Sequence, residues 1–102
     1  MLSDIRIELT ACDPEKNRMR AWRVDAGRDL LGQWEAAVSF GRIGARGRRM
    51  APKLFGDEAR MRSFIREGLR RRRSARRRIG VDYRVVDASE AGWDMLHSLR
   101  LA

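Results

Sequence analysis

Arginine is concentrated in one third of this 102-residue chain, and guanidinium groups at that density suit the binding of phosphate. Residues 42–78 carry a formal charge of +12, whereas residues 1–41 carry −1 and residues 79–102 carry −2. Seven arginines lie between Arg70 and Arg78 with no acidic residue among them. Such a run repels itself unless a counter-charge approaches, so it predicts binding to a polyanion. The alternative is a solvated helix face whose only effect is solubility.

A second group of arginines surrounds three glycines that recur at every third position, Gly41, Gly44 and Gly47. Glycine permits positive φ and a close approach of the backbone to a ligand, and exposed backbone N–H groups can add to phosphate binding. The arginines in and beside this turn are Arg42, Arg46, Arg48 and Arg49. Phe40 could either pack in the core or stack on a sugar or base. We predict one continuous cationic surface formed by this turn and the Arg70–Arg78 run.

The residue combinations that most enzymes need are missing. The chain has one cysteine, Cys12, and one histidine, His97, and it has no Ser-His-Asp order, Cys-His pair or Walker-type glycine loop. We therefore expect no enzymatic activity, no cofactor and no metal site. The single cysteine fits a reducing, cytoplasmic compartment. We expect neither a membrane span nor a secretory signal, because no apolar run is long enough and the first residues are partly acidic.

Alternation of apolar and polar residues predicts the strands that position these groups. The alternation is clearest at Ile5–Leu9, Met19–Asp25 and Trp34–Phe40. A fourth strand is predicted over 48–54, and Pro52 should shorten it or place it at an edge because proline has no backbone N–H.

Helical spacing of apolar residues follows these strands. Asp57 is suited to cap a helix that runs to about Arg78 and is ended by Gly80. A short strand is predicted over 83–86, and a short helix within 88–102. The predicted fold class is therefore α+β: a small twisted antiparallel sheet with one long helix packed across it.

Three segments resemble the WGR domain, a module named after its Trp-Gly-Arg signature, in order and in spacing. They are Arg20-Ala21-Trp22-Arg23-Val24, Asp29-Leu30-Leu31-Gly32-Gln33-Trp34 and Ser39-Phe40-Gly41-Arg42-Ile43-Gly44-Ala45-Arg46-Gly47-Arg48. The resemblance covers residues 18–86, which implies a WGR-like domain over 1–87 and a helical extension over 88–102. WGR domains occur in DNA-damage-dependent poly(ADP-ribose) polymerases and as small bacterial stand-alone proteins. The resemblance implies a twisted antiparallel sheet crossed by a helix.

The resemblance also implies roles for the signature positions. In the polymerases the signature Trp packs against the sugar at a DNA strand terminus, and nearby basic residues hold phosphates. Phe40 stands at the position of that Trp, and Gly41 and Arg42 complete the signature. Tyr83 matches an aromatic residue that can lie near the DNA backbone. Phenylalanine keeps an aromatic face but lacks the indole N–H.

The predicted function is the binding of nucleic acid, in particular DNA at ends, nicks or distorted sites, with little sequence specificity. The predicted contact residues are Phe40, Gly41, Arg42, Arg46, Arg48, Arg49, Arg70, Arg71, Arg73, Arg77 and Tyr83. One alternative is a protein-interaction module that docks an acidic partner, with an apolar patch at Trp93, Leu96 and Leu99. Another is an RNA-binding accessory protein. Trp22 and Trp34 are expected to be structural.

Overall fold

The computed structural model describes residues 2–43, 48–75, 77 and 80–101. Six strands and two helices follow one another in these ranges, with one 3-10 turn at Pro14–Lys16. The elements are β1 (Leu2–Asp13), β2 (Arg18–Arg28), β3 (Trp34–Arg42), β4 (Arg48–Arg49), β5 (Lys53–Phe55), α1 (Glu58–Arg73), β6 (Arg84–Ala88) and α2 (Glu90–Ser98).

The strands form one antiparallel sheet in the order β4-β3-β2-β1-β6. Strand β5 also pairs with β3, so β4 and β5 share the outer edge of β3. The predicted α+β class and antiparallel sheet are confirmed. The helical layer differs from the single long helix that we predicted, because α1 and α2 both contribute to the core of the described part.

One face of the sheet carries the core, and the two helices cover it. Directly paired residues of neighbouring strands lie on the same face, so Leu9, Trp22 and Phe40 form one row across β1, β2 and β3. We name this the covered face, and the other the open face. The buried core comprises Ile5, Ile7, Leu9, Trp22, Val24, Ala26, Ala36, Met61, Ile65, Leu69, Met95 and Leu96.

Helix α1 begins where the sequence predicts. Asp57 has extended backbone, and its Oδ1 accepts a hydrogen bond of 2.8 Å from the backbone N–H of Arg60. This bond satisfies one of the donors that the first turn of a helix leaves without a partner. The predicted N-terminal cap is therefore confirmed.

The predicted end of this helix near Arg78 is wrong. Helix α1 ends at Arg73, and Ser74 is its C-terminal cap. The hydroxyl of Ser74 donates to the carbonyl oxygen of Arg71 at 3.0 Å, a local bond of the kind that lets serine compete with continued helix. Gly80 has a φ of 78°, as expected of a glycine in a turn, but it is not the cap of α1.

The predicted fourth strand is interrupted by a bulge. Phe40 pairs with Arg48, whereas Ala36 pairs with Lys53. Between these pairs, the segment that faces β3 is therefore one residue longer than β3. The extra residue lies within Met50–Pro52. One extra residue on one strand is the definition of a β-bulge, and proline cannot donate a hydrogen bond there.

Helix α2 packs closely on β1 and belongs to the same core. An added Cβ at Gly92 would lie 2.6 Å from the carbonyl oxygen of Arg6, so only glycine fits at that contact. Leu96 is fully buried and Leu99 is half-buried. Of the apolar patch suggested at Trp93, Leu96 and Leu99, Leu96 is therefore excluded because it faces the core, whereas Trp93 is 38% exposed. No described helix is both long and apolar enough to cross a bilayer.

Candidate nucleic-acid interface

A cleft of about 420 Å³ lies between the C-terminal part of α1 and the adjoining ends of β2 and β3. Its described lining includes four arginines and two aromatic rings, from Arg20, Arg42, Arg71, Arg72, Phe40 and Tyr83. No acidic side chain lies among the described lining residues. We name this site the cationic cleft, and its composition suits an anion that also presents a flat or apolar surface.

The fold brings five of the predicted contact residues together in this cleft. They are Phe40, Gly41, Arg42, Arg71 and Tyr83. Phe40, Gly41 and Arg42 lie at the end of β3. Arg71 lies in the last turns of α1, and Tyr83 lies in the segment before β6. Because these segments are far apart in sequence, the folded sheet and helix are what place them together.

Phe40 lies at the edge of the core without being part of it. Its neighbour across the sheet, Trp22, is buried under α1, where an added Cβ at Gly68 would lie 3.0 Å from the Trp22 ring. The Phe40 side chain is 39% exposed and lines the cationic cleft. Phe40 therefore lies in an accessible environment rather than in the core. Trp22 has the structural role that we expected.

Two of the cleft arginines oppose each other directly across the sheet. Arg20 of β2 is the register partner of Arg42 of β3, and both side chains are exposed. Like charges in this position destabilise a sheet, because the side chains of direct partners are close. An anion bound between or beside the two guanidinium groups would relieve this repulsion.

Asn17 fixes the position of one of these guanidinium groups. Its φ of 54° is left-handed, which asparagine tolerates better than most residues. Its backbone N–H donates to the carbonyl oxygen of Pro14 at 3.1 Å, and its side-chain oxygen accepts from Arg42 at 2.7 Å. Sequence patterns do not indicate this contact, because it joins a turn to a strand end that only the β1–β2–β3 pairing brings together.

Arg72 connects α1 to the rings of Trp22 and Tyr83. Its guanidinium carbon lies 5.2 Å from the centre of the Trp22 ring and 5.9 Å from that of the Tyr83 ring. Cation–π contacts of this kind are favourable, and the planar guanidinium stacks well. The contact places Tyr83 next to the end of α1, so Arg72 shapes the cleft wall although we did not predict it as a contact residue.

The described arginines of the Arg70–Arg78 run do not all line the cationic cleft. Arg70, Arg73 and Arg77 line a separate depression of about 290 Å³ beside Ser74. Arg70 pairs with Glu67 at 3.0 Å, and Arg73 donates to the carbonyl oxygen of Leu99 at 3.0 Å. Among the described residues, the prediction of a single surface is corrected: Arg71 and Arg72 line the cleft, whereas Arg70, Arg73 and Arg77 line the other depression. Successive positions at the end of α1 point in different directions.

The remaining predicted contact residues surround the glycine turn. Arg48 is exposed and lies directly opposite Phe40 across the sheet. Arg49 is the register partner of Ser39, and its side chain lies outside the described part. Arg46 lies outside the described residues.

The open face of the sheet carries cations that already have acidic partners. Arg6 pairs with Asp87 at 3.1 Å, and Arg23 pairs with Asp25 at 2.9 Å. The hydrogen bonds that Arg23 donates to the Asp25 carboxylate raise the pKa of Arg23 above its usual value, so the guanidinium stays charged. A face of mixed and paired charges attracts a polyanion less than the cationic cleft does.

The cationic cleft combines charged groups with aromatic rings. Among the described residues, no three His, Cys, Asp or Glu side chains lie close enough to hold a metal ion. Comparisons with protein-family models, with curated proteins and with solved structures find no match for this chain. The resemblance to the WGR domain therefore stays a prediction.

Proposed function

We propose that this chain binds nucleic acid in the cationic cleft, without catalysing a reaction. The observation that carries the proposal is the direct opposition of Arg20 and Arg42, in a cleft whose described lining has no acidic side chain. Maintaining two facing cations costs stability, and a phosphate group would remove that cost. Nucleic acid supplies phosphates at a regular spacing together with the sugars and bases that an aromatic ring can contact.

The roles of the side chains follow from their chemistry. The guanidinium groups of Arg20, Arg42 and Arg71 would bind phosphate oxygens, because the planar fork matches the geometry of phosphate. The exposed ring of Phe40 would pack against a sugar or an unstacked base. The cleft volume of about 420 Å³ is in the range of small-ligand pockets, which suits one nucleotide unit.

The preferred substrate would be DNA at an end, a nick or a distorted site. This part of the proposal rests on the WGR resemblance and on the accessibility of Phe40, since a terminal or unstacked nucleotide exposes a sugar face that an intact duplex hides. The one Asn and the one Gln of the sequence, Asn17 and Gln33, lie outside the described α-helices, so we expect weak sequence preference.

A titration at several salt concentrations tests the proposal. Blunt, nicked and single-stranded DNA and a structured RNA serve as ligands. If about five phosphates are neutralised, the logarithm of the affinity should fall against the logarithm of the salt concentration with a slope of roughly −4 to −5. Preference for the RNA would instead support the RNA-binding alternative, and a slope near zero would reject phosphate binding.

Matched variants assign the binding to the cleft. Arg71→Gln should make the slope shallower by about 1, whereas Arg23→Gln on the open face should leave the slope unchanged because Arg23 pairs with Asp25. Phe40→Ala should reduce the preference for ends and nicks over intact duplex. If Phe40→Ala leaves that preference intact while binding persists, the end-recognition part of the proposal fails and the phosphate part stands.

A further inference from the structure

A second group of arginines lies at the end of α1, apart from the cationic cleft. Arg70, Arg73 and Arg77 line a depression of about 290 Å³, and Ser74 is the other described lining residue. We name this site the arginine depression. No acidic side chain lies among its described lining residues. Guanidinium groups and a hydroxyl can all donate hydrogen bonds, so the depression suits an oxyanion such as phosphate.

The helical positions explain why Arg70 and Arg73 point away from the cationic cleft. Successive residues of an α-helix are rotated by about 100°, so the mean direction of Arg70 and Arg73 differs from that of Arg71 and Arg72 by about 180°. All four residues lie in the last turn of α1. The cleft and the depression are therefore two sites on opposite sides of one helix end.

The partners of the depression arginines leave positive charge for a ligand. Arg73 donates to the carbonyl oxygen of Leu99 at 3.0 Å, and this neutral acceptor holds the guanidinium in place without cancelling its charge. Arginine has five N–H donors, so others can still bind an anion. Arg70 pairs with Glu67 at 3.0 Å, but the two side chains are 49% and 72% exposed. Exposed pairs are weak, so a phosphate can compete with Glu67 for Arg70.

We propose that the arginine depression binds the phosphate backbone of a second nucleic-acid segment, so that one protein molecule bridges two segments. The bridging rests on the proposed function, because the cationic cleft must hold the first segment. The depression has room for a phosphate group, since one water molecule takes up about 30 Å³ in the liquid. The rings of Phe40 and Tyr83 in the cleft have no counterpart in the described lining of the depression. The second segment can therefore be an intact duplex.

Two segments fit this arrangement better than one continuous ligand. A phosphate chain that joined the two sites would have to pass around a helix about 10–12 Å across, whereas two segments can each approach from their own side. Two nucleic-acid segments repel each other, but the last turn of α1 places four arginines between them. This positive charge reduces the repulsion.

Energy transfer between two labelled DNA duplexes tests the bridging. Short blunt duplexes carry either a donor or an acceptor dye and are mixed with the full chain. Energy transfer should rise as protein is added and should fall again in excess protein, because each duplex then has a protein molecule of its own. With DNA in excess, sedimentation velocity should show a complex of one protein molecule and two duplexes.

Matched variants assign the second duplex to the depression. Arg70→Gln/Arg77→Gln should still bind one duplex but should bind the second at least about tenfold more weakly, because charged hydrogen bonds are lost. Both side chains are exposed, so the fold should persist. Arg60→Gln/Arg62→Gln is the control, since it removes the same charge from the start of α1, where both arginines pair with acidic residues. Circular dichroism and urea unfolding establish that each variant is folded.

A third variant separates the bridging from the binding in the cleft. Arg42→Gln/Arg71→Gln lacks two cations of the cleft and should bind one duplex through the depression. The bridging is overturned, and the cleft proposal stands, if the unmodified protein binds one duplex but never two, or if Arg70→Gln/Arg77→Gln bridges as well as the control. A complex of two protein molecules and two duplexes would also overturn it. If Arg70→Gln/Arg77→Gln binds no duplex at all, both proposals fail.

Discussion

The guanidinium of Arg42 donates a hydrogen bond of 2.7 Å to the side-chain oxygen of Asn17, a residue 25 positions earlier in the chain. Asn17 is held in left-handed conformation at the end of the turn after β1. The bond therefore joins the end of β3 to that turn and restricts the directions in which Arg42 can point. A restricted guanidinium loses less conformational entropy when it binds a phosphate.

Replacing Asn17 by glycine should weaken nucleic-acid binding without unfolding the protein. Glycine adopts a φ near 54° at no steric cost, so the turn should persist while the acceptor for Arg42 is lost. A contact of this kind is worth about 0.5–1.5 kcal/mol, which corresponds to a loss of affinity of roughly two- to tenfold. Fluorescence anisotropy with a nicked DNA measures the change.

A double-mutant cycle shows whether Asn17 acts through Arg42. In an Arg42→Ala background, Asn17→Gly should cause no further loss of affinity, because the residue that Asn17 positions is already absent. Equal losses in the two backgrounds would mean that Asn17 contacts the ligand itself, and the positioning role would be wrong.

Removing one of the two opposed arginines should stabilise the free protein and weaken its binding. Arg20→Gln removes a like-charge pair between directly facing strand positions, so the free energy of unfolding should rise by about 0.2–1 kcal/mol at low salt. The gain should disappear at high salt, where the repulsion is screened. Urea unfolding at two salt concentrations measures the gain in stability and its loss at high salt. A loss of stability at low salt would show that the two guanidinium groups do not repel each other.

Replacing Gly92 by alanine should destabilise the fold, although alanine is the better helix former. The added Cβ would lie 2.6 Å from the carbonyl oxygen of Arg6 and 2.9 Å from Cγ1 of Ile7, so α2 must move away from β1. Overpacking of this kind costs about 1–3 kcal/mol, which exceeds the gain of about 1 kcal/mol in helix propensity. Gly56→Ala is the control, because the nearest atom there is the mobile end of a side chain at 3.8 Å. Equal unfolding midpoints for the two variants would contradict the close packing of α2.

Removing the hydroxyl of Ser89 should loosen the junction between α2 and β1. This oxygen accepts hydrogen bonds from the backbone N–H groups of Arg6 at 2.9 Å and Gly92 at 3.2 Å, and its hydroxyl donates to the carbonyl oxygen of Asp4 at 3.2 Å. Ser89→Ala should lower the free energy of unfolding by about 1–2 kcal/mol. The amide hydrogen of Arg6 should also exchange faster. Ser89→Thr keeps the hydroxyl and should retain most of the stability, and unchanged exchange in Ser89→Ala would refute this role.

The strands and the start of α1 could be predicted because their signals are local. Alternation in Met19–Asp25 and Trp34–Phe40 reports directly on one buried face, and the Asp57 cap depends on residues within one helical turn. The end of α1 could not be predicted in the same way. Arginine is a good helix former, so the run after Leu69 gives no sign that the helix ends at Ser74.

The cleft was predicted only in part, because its remaining residues are defined by pairing between strands. Arg20 lies two positions before Trp22 on the same strand, but its opposition to Arg42 requires the register of β2 and β3. Arg72 resembles its neighbouring arginines in sequence, and only the approach of α1 to Trp22 and Tyr83 distinguishes it. The charge pattern therefore predicts a class of ligand, whereas the residues that line the cleft follow from the fold.

The bulge at Met50–Pro52 determines which side chains the edge formed by β4 and β5 places on the covered face. Arg48 pairs with Phe40 and Phe55 pairs with Trp34, so both belong to the covered face. Residues 48 and 55 are an odd number of positions apart, and an unbroken strand would send one of them to the opposite face. The extra residue at the bulge is therefore what allows this edge to supply both the cation beside Phe40 and the Phe55 ring that packs against the core.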